Sequence, residues 1–403
     1  MNWIGFIRLM RNIYGRDLPD LEKIQKQGLL AVKIAQVFAL RIDFLNEGKC
    51  RHLSRLYRHT LELPSEAVKR LLDGYTDPSF RGRFADITER PLASASVGQV
   101  HRAVMKNGTE AIIKLIKQDF TKNFVRDVRS LERLFRMIIF FYPKLQKVAD
   151  PVGILNNIED YTTRELNLLN EIQGQEILKE IYHRQKNRFD LSRMRFADIY
   201  KDLCNENVLV AEFIDGRTFD ELLDAEQLPY EELLKLFHIH GFYMFGVGTF
   251  HGDIHPGNII LKDGCLYFVD TSAISHAGPK IRRGLFEFFK ALAYWDYEKC
   301  AYFLNKMADR EIEGQRYEAF AKKFVQLYGD FTESTVSRVS LTQRMMETIK
   351  LGVNSGMVFE RGIFAIIKSL MYMDGMVLRC RPDAVLMRDM RPFIAEAENF
   401  VLK

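Results

Sequence analysis

Residues 251–270 constrain the chain more than any other stretch. They read His251-Gly252-Asp253-Ile254-His255-Pro256-Gly257-Asn258, then two short apolar runs at 259–261 and 266–269, then Asp270. Pro256 and Gly257 keep the middle of this segment out of a helix. Asp263-Gly264, between the runs, is a turn pair suited to a hairpin. The segment must therefore form a loop and then a two-stranded hairpin, which brings oxygens of Asp253, Asn258 and Asp270 to one point. A surface turn accounts for Pro256 and Gly257 but not for a second aspartate directly after a strand.

An Asp, an Asn five residues later, a hairpin and a second Asp follow the order of a kinase catalytic site. Phosphoryl transfer needs one carboxylate near the attacking hydroxyl or water, and a second acid with an amide oxygen to hold magnesium against the phosphates. Asp253 suits the first task, Asn258 and Asp270 the second. Lys114 closes the apolar pattern Ala111-Ile112-Ile113-Lys114, the usual place for an ammonium that grips the α- and β-phosphates; a solvated strand-end lysine fits the same pattern. Upstream, Ala93-Ser94-Ala95-Ser96-Val97-Gly98 follows Pro91. Small side chains let backbone N–H groups approach phosphate, although no G-x-G-x-x-G is present. Glu212 follows the apolar run 208–211 and precedes Asp215-Gly216, a hinge position where backbone groups would meet an adenine edge. His251 and His255 lack a third metal ligand, so they suit ordering of the loop better than zinc.

The rest of the chain supplies a body for this site. With 403 residues, 47% hydrophobic and 28% charged, the chain is globular and can bury a large core across two or three domains or one two-lobed body. A net charge of +5 is too weak to argue for nucleic acid. The five cysteines form no C-x-x-C pair, so neither a disulfide framework nor a zinc site is indicated, and a reducing cytosol is the simplest home. No apolar stretch reaches the roughly 18 residues of a spanning helix, and no signal peptide is visible, so a soluble, cytoplasmic protein is expected. The short run Met137 to Tyr142 suits a buried helix turn. Residues 3–14 gather Trp3, Ile4, Phe6, Ile7, Met10, Ile13 and Tyr14 near one helical side, with Arg8 and Arg11 among them. That segment fits the interface of an anionic bilayer or a helix docked on its own protein. Apolar spacing predicts helices over 21–45 and 52–73, and strands near 97–104 and 111–116 turned at Asn107-Gly108. Residues 119–185 are predicted helical, with breaks at Tyr142-Pro143 and near Asp150-Pro151. From Asp220 onward the chain is predicted mostly helical apart from the hairpin, with Phe242, Tyr243, Phe245, Phe286, Phe288 and Phe289 in its core.

On these residues the chain resembles the UbiB/AarF family of atypical protein-kinase-like proteins linked to ubiquinone and other isoprenoid-lipid metabolism. Pro91 to Ala103 (PLASASVGQVHRA) matches the family's alanine-rich loop, and HGDIHPGN matches its catalytic loop. The family's K-x-G-Q falls on Lys33-Ile34-Ala35-Gln36, with Ala35 for glycine, and E-x-D falls on Glu165-Leu166-Asn167, with Asn167 for aspartate. Glu171 matches the helix glutamate expected to pair with Lys114. Asp270-Thr271-Ser272 stands where the family carries D-F-G.

The resemblance implies an α+β, two-lobed protein-kinase-like fold: a helical N-terminal extension over 1–85, an N-lobe over 86–213 and a mostly helical C-lobe over 214–403. It implies ATP and Mg2+ as cofactors. Asp253, Lys114 and Glu171 would be catalytic, and Asn258 and Asp270 would hold the metal. Ala93 through Gly98, Lys114, Glu212, Lys33, Gln36 and Glu165 would line the nucleotide site. Lys33 and Gln36 would point at the nucleotide beside Glu165 and Asp270, although a mid-helix lysine is ordinarily solvated or snorkelling. The implied activity is that of an ATPase or phosphotransferase supporting isoprenoid-quinone or related lipid biosynthesis on the inner face of a membrane. The implied partners are ATP, an isoprenoid or quinone-precursor lipid and an anionic membrane surface, with no nucleic acid. Two alternatives remain. Gly252 within H-G-D-x-x-x-x-N also suits a small-molecule kinase of the aminoglycoside or choline type. Asn167 and the missing Phe-Gly after Asp270 suit a nucleotide-binding pseudoenzyme or lipid accessory protein.

Overall fold

Helices α1 (Trp3–Tyr14), α2 (Leu21–Lys26), α3 (Leu29–Ala39), α4 (Glu47–Ser54) and α5 (Ser65–Tyr75) open the chain. Strands β1 (Phe84–Ile87), β2 (Ala93–Ser94), β3 (Gly98–Met105) and β4 (Glu110–Ile116) follow, then helices α6 (Thr121–Phe141), α7 (Pro151–Glu165) and α8 (Leu169–Gln185), and strands β5 (Met194–Arg195) and β6 (Val208–Glu212). This is a computed structural model, and it describes residues 1–39, 45–57, 62–117, 121–142, 151–359 and 363–401. The chain divides into two units, Met1–Gln173 with Ala197–Phe213 and Gly174–Phe196 with Ile214–Lys403.

This division differs from the expected 1–85, 86–213 and 214–403 in two ways. The first helices form no unit of their own, because Leu9, Ile13, Ile24, Leu30 and Ile34 are buried in the same cluster as Val97, Ile116 and Leu209. Residues 174–196 fall in the second unit, because Leu178, Ile181, Phe189 and Leu191 belong to its core.

In the first unit the sheet runs β1-β3-β4-β6, with β2 on β3, and every pair is antiparallel. The β3–β4 turn is at Asn107-Gly108. Gly108 takes a φ of +85°, and the Asn107 side chain accepts from the Thr109 N–H. Along β4 the side chains alternate between two faces. Ala111, Ile113 and Leu115 join one apolar cluster with Val68 and Leu72 of α5, while Ile112 and Ile116 join the other. That alternation puts Lys114 on the Ile112/Ile116 face. The helix expected over 21–45 is split at Gly28, whose φ of +98° no helix accommodates; residues 40–44 lie outside the described residues. The helix expected over 52–73 becomes α4, a turn at Arg55–Tyr57, and α5 opening after Pro64. Of the two expected breaks, Pro143 and Asp150 lie outside the described residues, but α6 ends at Phe141 and α7 opens on Pro151.

The run Met137 to Tyr142 is not a buried turn. Phe140 is 77% exposed, and Met137, Phe141 and Tyr142 are exposed too. They occupy the end of α6, past Leu131, its last fully buried apolar residue.

In the second unit β7 (Arg217–Thr218), α9 (Phe219–Asp224), α10 (Tyr230–Gly241) and a π-helical turn at Phe242–Val247 lead into β8 (Thr249–His251), β9 (Ile259–Lys262), β10 (Cys265–Phe268) and β11 (Ile274–His276). Helices α11 (Pro279–Ala293), α12 (Tyr297–Met307), α13 (Gly314–Leu327), α14 (Leu341–Ser355), α15 (Ile363–Cys380), α16 (Leu386–Asp389) and α17 (Arg391–Val401) complete it. The β9–β10 hairpin turns at Asp263 and Gly264, both at positive φ, the backbone that an Asp-Gly turn supplies. The small sheet runs β5-β10-β9-β7. A second pair, β8 with β11, was not expected from the sequence; it sets His251 opposite Ile274. Phe242, Tyr243, Phe245, Phe286, Phe288 and Phe289 are all buried in this unit's core.

Candidate active site

In the first unit the candidate charges are already paired. The Lys114 ammonium lies 2.7 Å from the Glu171 carboxylate, and the two side chains are only 14% and 11% exposed. Strand alternation aims Lys114, and Glu171 sits in the first turn of α8. Lys33, on α3, is paired with Glu165 at the end of α7. A buried charge is tolerated only with such a partner. Gln36 is buried, and its side-chain N–H donates to the Leu56 carbonyl, 3.0 Å away. Asn167 lies between α7 and α8, and its Oδ1 accepts from the Leu169 N–H at 3.0 Å. That oxygen satisfies one of the orphan donors of the helix start, a task that an aspartate would do with one more negative charge.

The alanine-rich stretch forms a tight corner on β3. Ala93 and Ser94 pair with Val100 and Gln99, and the Ala95 N–H reaches the Gly98 carbonyl. A Cβ at Gly98 would stand 3.2 Å from the Leu115 carbonyl oxygen, so this corner lies directly on β4. Ser96 and Val97 complete the turn, with Val97 buried. The stretch is held by a residue the sequence did not single out. Lys117 is buried; its ammonium donates to Ser94 Oγ at 2.7 Å, and its backbone N–H donates to the Val97 carbonyl. Burial pushes its pKa down to about 8. The only hint was a second lysine three residues after Lys114 in an otherwise apolar strand. Gln99 and His101 are structural here: Gln99 bonds the Leu63 backbone and the His101 ring, whose Nδ1 meets the Thr88 carbonyl. Glu212 ends β6. Its backbone N–H donates to the Asp198 carbonyl at 2.7 Å, so an adenine edge meeting this position would find the N–H engaged.

In the second unit the loop 251–258 is fixed by its own hydrogen bonds. His251 is fully buried; its Nδ1 accepts from the Asp253 N–H at 3.1 Å and its Nε2 faces the Val269 carbonyl at 3.0 Å. These bonds require the neutral Nε2–H tautomer, and burial holds its pKa below the ordinary value. Asn258 Nδ2 donates to the Asp253 carbonyl at 3.0 Å, which turns Oδ1 away from that oxygen. Gly252 has no room for a Cβ, which would stand 2.9 Å from the Ala273 carbonyl oxygen and closer still to Ser275 Oγ.

Burial pushes the Asp253 pKa up, but the Lys368 ammonium outweighs it, so the carboxyl is held well below the usual carboxylate range. Lys368, on α15, lies 2.7 Å from Asp253 Oδ1; nothing in the sequence pattern linked these two residues. Asp270 takes a φ of +52°, a conformation costing a non-glycine residue on the order of 1 kcal/mol and concentrated at functional sites. Ser272 Oγ donates to Asp270 Oδ1 at 3.1 Å. Thr271, where the family carries an aromatic, is buried, and its carbonyl oxygen would stand only 1.9 Å from a Cβ on Gly174 of α8.

Among the described residues no group of three or more His, Cys, Asp and Glu side chains could hold a metal by itself. The donors in the loop and hairpin are instead an amide oxygen and a carboxylate. That hard, sparse oxygen set suits Mg2+, which keeps waters and binds through one or two protein ligands plus phosphates.

Two units, one carrying paired lysines beside a small-residue corner and the other carrying Asp253, Asn258 and Asp270 around a hairpin, define an atypical protein-kinase-like protein. An ABC1 atypical kinase-like domain matches residues 55–304, and the chain belongs to this family, the group that includes UbiB and aarF-domain kinases. It is 25% identical to a probable protein kinase UbiB of Erwinia tasmaniensis, over 94% of this chain and 69% of the relative. It is 22% identical to a chloroplastic aarF domain-containing protein kinase of Arabidopsis thaliana, over 92% of this chain and 73% of the relative. The solved Rv3197–erythromycin complex from Mycobacterium tuberculosis shares the fold, with a TM-score of 0.51 at 19% identity over 88% of this chain and 93% of that one.

Proposed function

We propose that this protein is a Mg2+–ATP-dependent atypical kinase-like ATPase or phosphotransferase that supports isoprenoid-quinone or related lipid biosynthesis at a membrane surface. The observation that carries this is the Asp253 loop. A carboxylate held ionised, an asparagine tied to the same loop and a strained aspartate after the hairpin are the groups phosphoryl transfer requires. Asp253 accepts or orients the proton of the attacking hydroxyl or water. Lys114, kept in place by Glu171, offset phosphate charge, and the Ala93–Gly98 corner offers backbone N–H groups. Asn258 and Asp270 would hold Mg2+, which neutralises charge on the β- and γ-phosphate oxygens when bound.

The membrane part of the proposal rests on the resemblance and on an apolar surface in the first unit. Helix α1 is docked through buried Leu9 and Ile13, and its Phe6 ring stacks edge-on against Phe135 of α6. Its other side leaves Trp3, Ile4, Ile7 and Tyr14 exposed, as α6 leaves Phe140 and Phe141. Aromatic and apolar side chains with Arg8 and Arg11 nearby suit an anionic interface. No helix among the described residues is long and apolar enough to cross a membrane.

One assay tests both parts: hydrolysis of γ-labelled ATP with and without Mg2+ and with and without vesicles containing an anionic phospholipid. Turnover should require Mg2+ and rise with vesicles. Asp253→Asn should lose it by about a thousandfold, within the range of a lost general base. Replacing the exposed Trp3, Ile4 and Ile7 of α1 with serine, which leaves the buried Leu9 and Ile13 in place, should remove only the vesicle response. ATP binding without turnover under every condition would favour a pseudoenzyme instead.

A further inference from the structure

Lys368 lies well past the matched domain, which ends at residue 304, yet it reaches the centre of the catalytic loop. Its ammonium is 2.7 Å from Asp253 Oδ1, with the two side chains 23% and 19% exposed. The contact is not a chance meeting of flexible groups. Helix α15 is anchored by buried Ile366, Ile367 and Leu370, which flank Lys368 in the chain. One helical turn further on, Tyr372 presents its ring to His255, with centroids 5.9 Å apart, and the Lys368 ammonium lies 5.7 Å from that same ring. Residues four apart share a helix face, so a single face of α15 grips the loop at two points, Asp253 and His255.

We infer that Lys368 is a positioning residue for the reaction, fixing the Asp253 carboxylate by occupying Oδ1 and leaving Oδ2 for the attacking hydroxyl or water. This inference rests on Asp253 being the group that meets the nucleophile. An ammonium donated from a distant helix does here what no cation inside the loop sequence can do, since the loop itself offers only His251 and His255. His251 is occupied on both ring nitrogens. A carboxylate fixed at one oxygen is held in a single rotamer, and orientation of that kind is worth large factors in rate without changing substrate affinity.

The test is a double-mutant cycle on the full chain, with Lys368→Met, Lys368→Arg, Asp253→Asn and the Asp253→Asn/Lys368→Met pair. Magnesium-dependent ATP turnover and melting temperature are read for each. Lys368→Met should lower kcat by about 10- to 100-fold with the KM for ATP changed by less than about twofold. Lys368→Arg, which keeps the charge, should recover most of the rate. The double variant should turn over no more slowly than Asp253→Asn alone. Lys368→Met should lower the melting temperature by several degrees in the parent, where it strands a buried carboxylate, and by clearly less in the Asp253→Asn background. If Asp253→Asn abolishes turnover while Lys368→Met matches or exceeds the parent, Lys368 does not position the base and the inference is overturned. Melting temperatures that add with no coupling would overturn it as well. Full turnover by Asp253→Asn, or none by the parent, would instead sink the assignment of Asp253, and this inference with it.

Discussion

The two units solve one electrostatic problem in opposite ways. In the first, the candidate site charges are cations, Lys33 and Lys114, and helices α7 and α8 supply the carboxylates that pair with them. In the second, the candidate site charge is an anion, Asp253, and helix α15 supplies the ammonium. In each case the candidate group sits on one element and its counter-charge arrives from another. Removing a charge from water is costly unless an opposite charge stands beside it, and each of these groups has one. The difference lies in backbone strain. The first unit holds its groups on regular strand and helix, whereas the second relies on Asp270 in a left-handed conformation and on glycines with no space around them. The second unit is therefore the more easily damaged by small changes of shape.

Gly174→Ala strikes that weakness. A Cβ 1.9 Å from the Thr271 carbonyl oxygen forces the backbone next to Asp270 to move. Turnover should fall by about tenfold or more, as expected for a misplacement near 1 Å, and stability by about 1–3 kcal/mol. Steady-state kinetics and urea unfolding check both; unchanged values would mean that α8 does not brace this segment.

His240 sharpens the comparison, because it is a buried ionisable group with no partner. Among the described residues neither ring nitrogen has a hydrogen-bond partner. Burial, with a smaller push from His251, lowers its pKa to about 3. The unfolded chain takes up this proton near pH 6.5, but the folded chain does not until about pH 3. Its contribution to stability is thus complete above pH 6.5 and is lost as pH falls toward 3. Between pH 7.5 and 5.0 that amounts to about 2 kcal/mol. In urea titrations at those two pH values His240→Phe should shrink the difference by that amount, while the remaining slope reflects His101, His238 and His251, whose pKa values are also lowered. An unaltered difference would show that His240 takes up its proton as readily in the folded protein as in the unfolded chain.

Local signals made the hairpins legible. Asn107-Gly108 and Asp263-Gly264 need only neighbouring residues to specify a turn, and both turns form with glycine at positive φ. The loop 251–258 was legible because Pro256 and Gly257 punctuate it. What escaped was fixed by partners far away in the chain. Strands β8 and β11 are three residues each, too short for periodicity to mark. Lys368 looks like any helix lysine until α15 is set against the loop. The apolar run Met137 to Tyr142 suggested burial, because a sequence shows that a helix is apolar at its end but not that its packing partner has run out. Lys33, Gln36 and Asn167 drew attention only through resemblance. The structure gives each a definite contact, with Glu165, Leu56 and Leu169.

The proposed role of Lys114 and Asp270 in binding a magnesium-bound triphosphate is tested most directly by titration calorimetry of ATP with and without Mg2+. The parent should bind ATP more tightly with the metal. Lys114→Met should weaken binding under both conditions by about tenfold, the scale of one charged contact, whereas Asp270→Ala should weaken it only when Mg2+ is present. Parent-like affinity in both variants, or an Asp270→Ala loss that ignores the metal, would contradict the account.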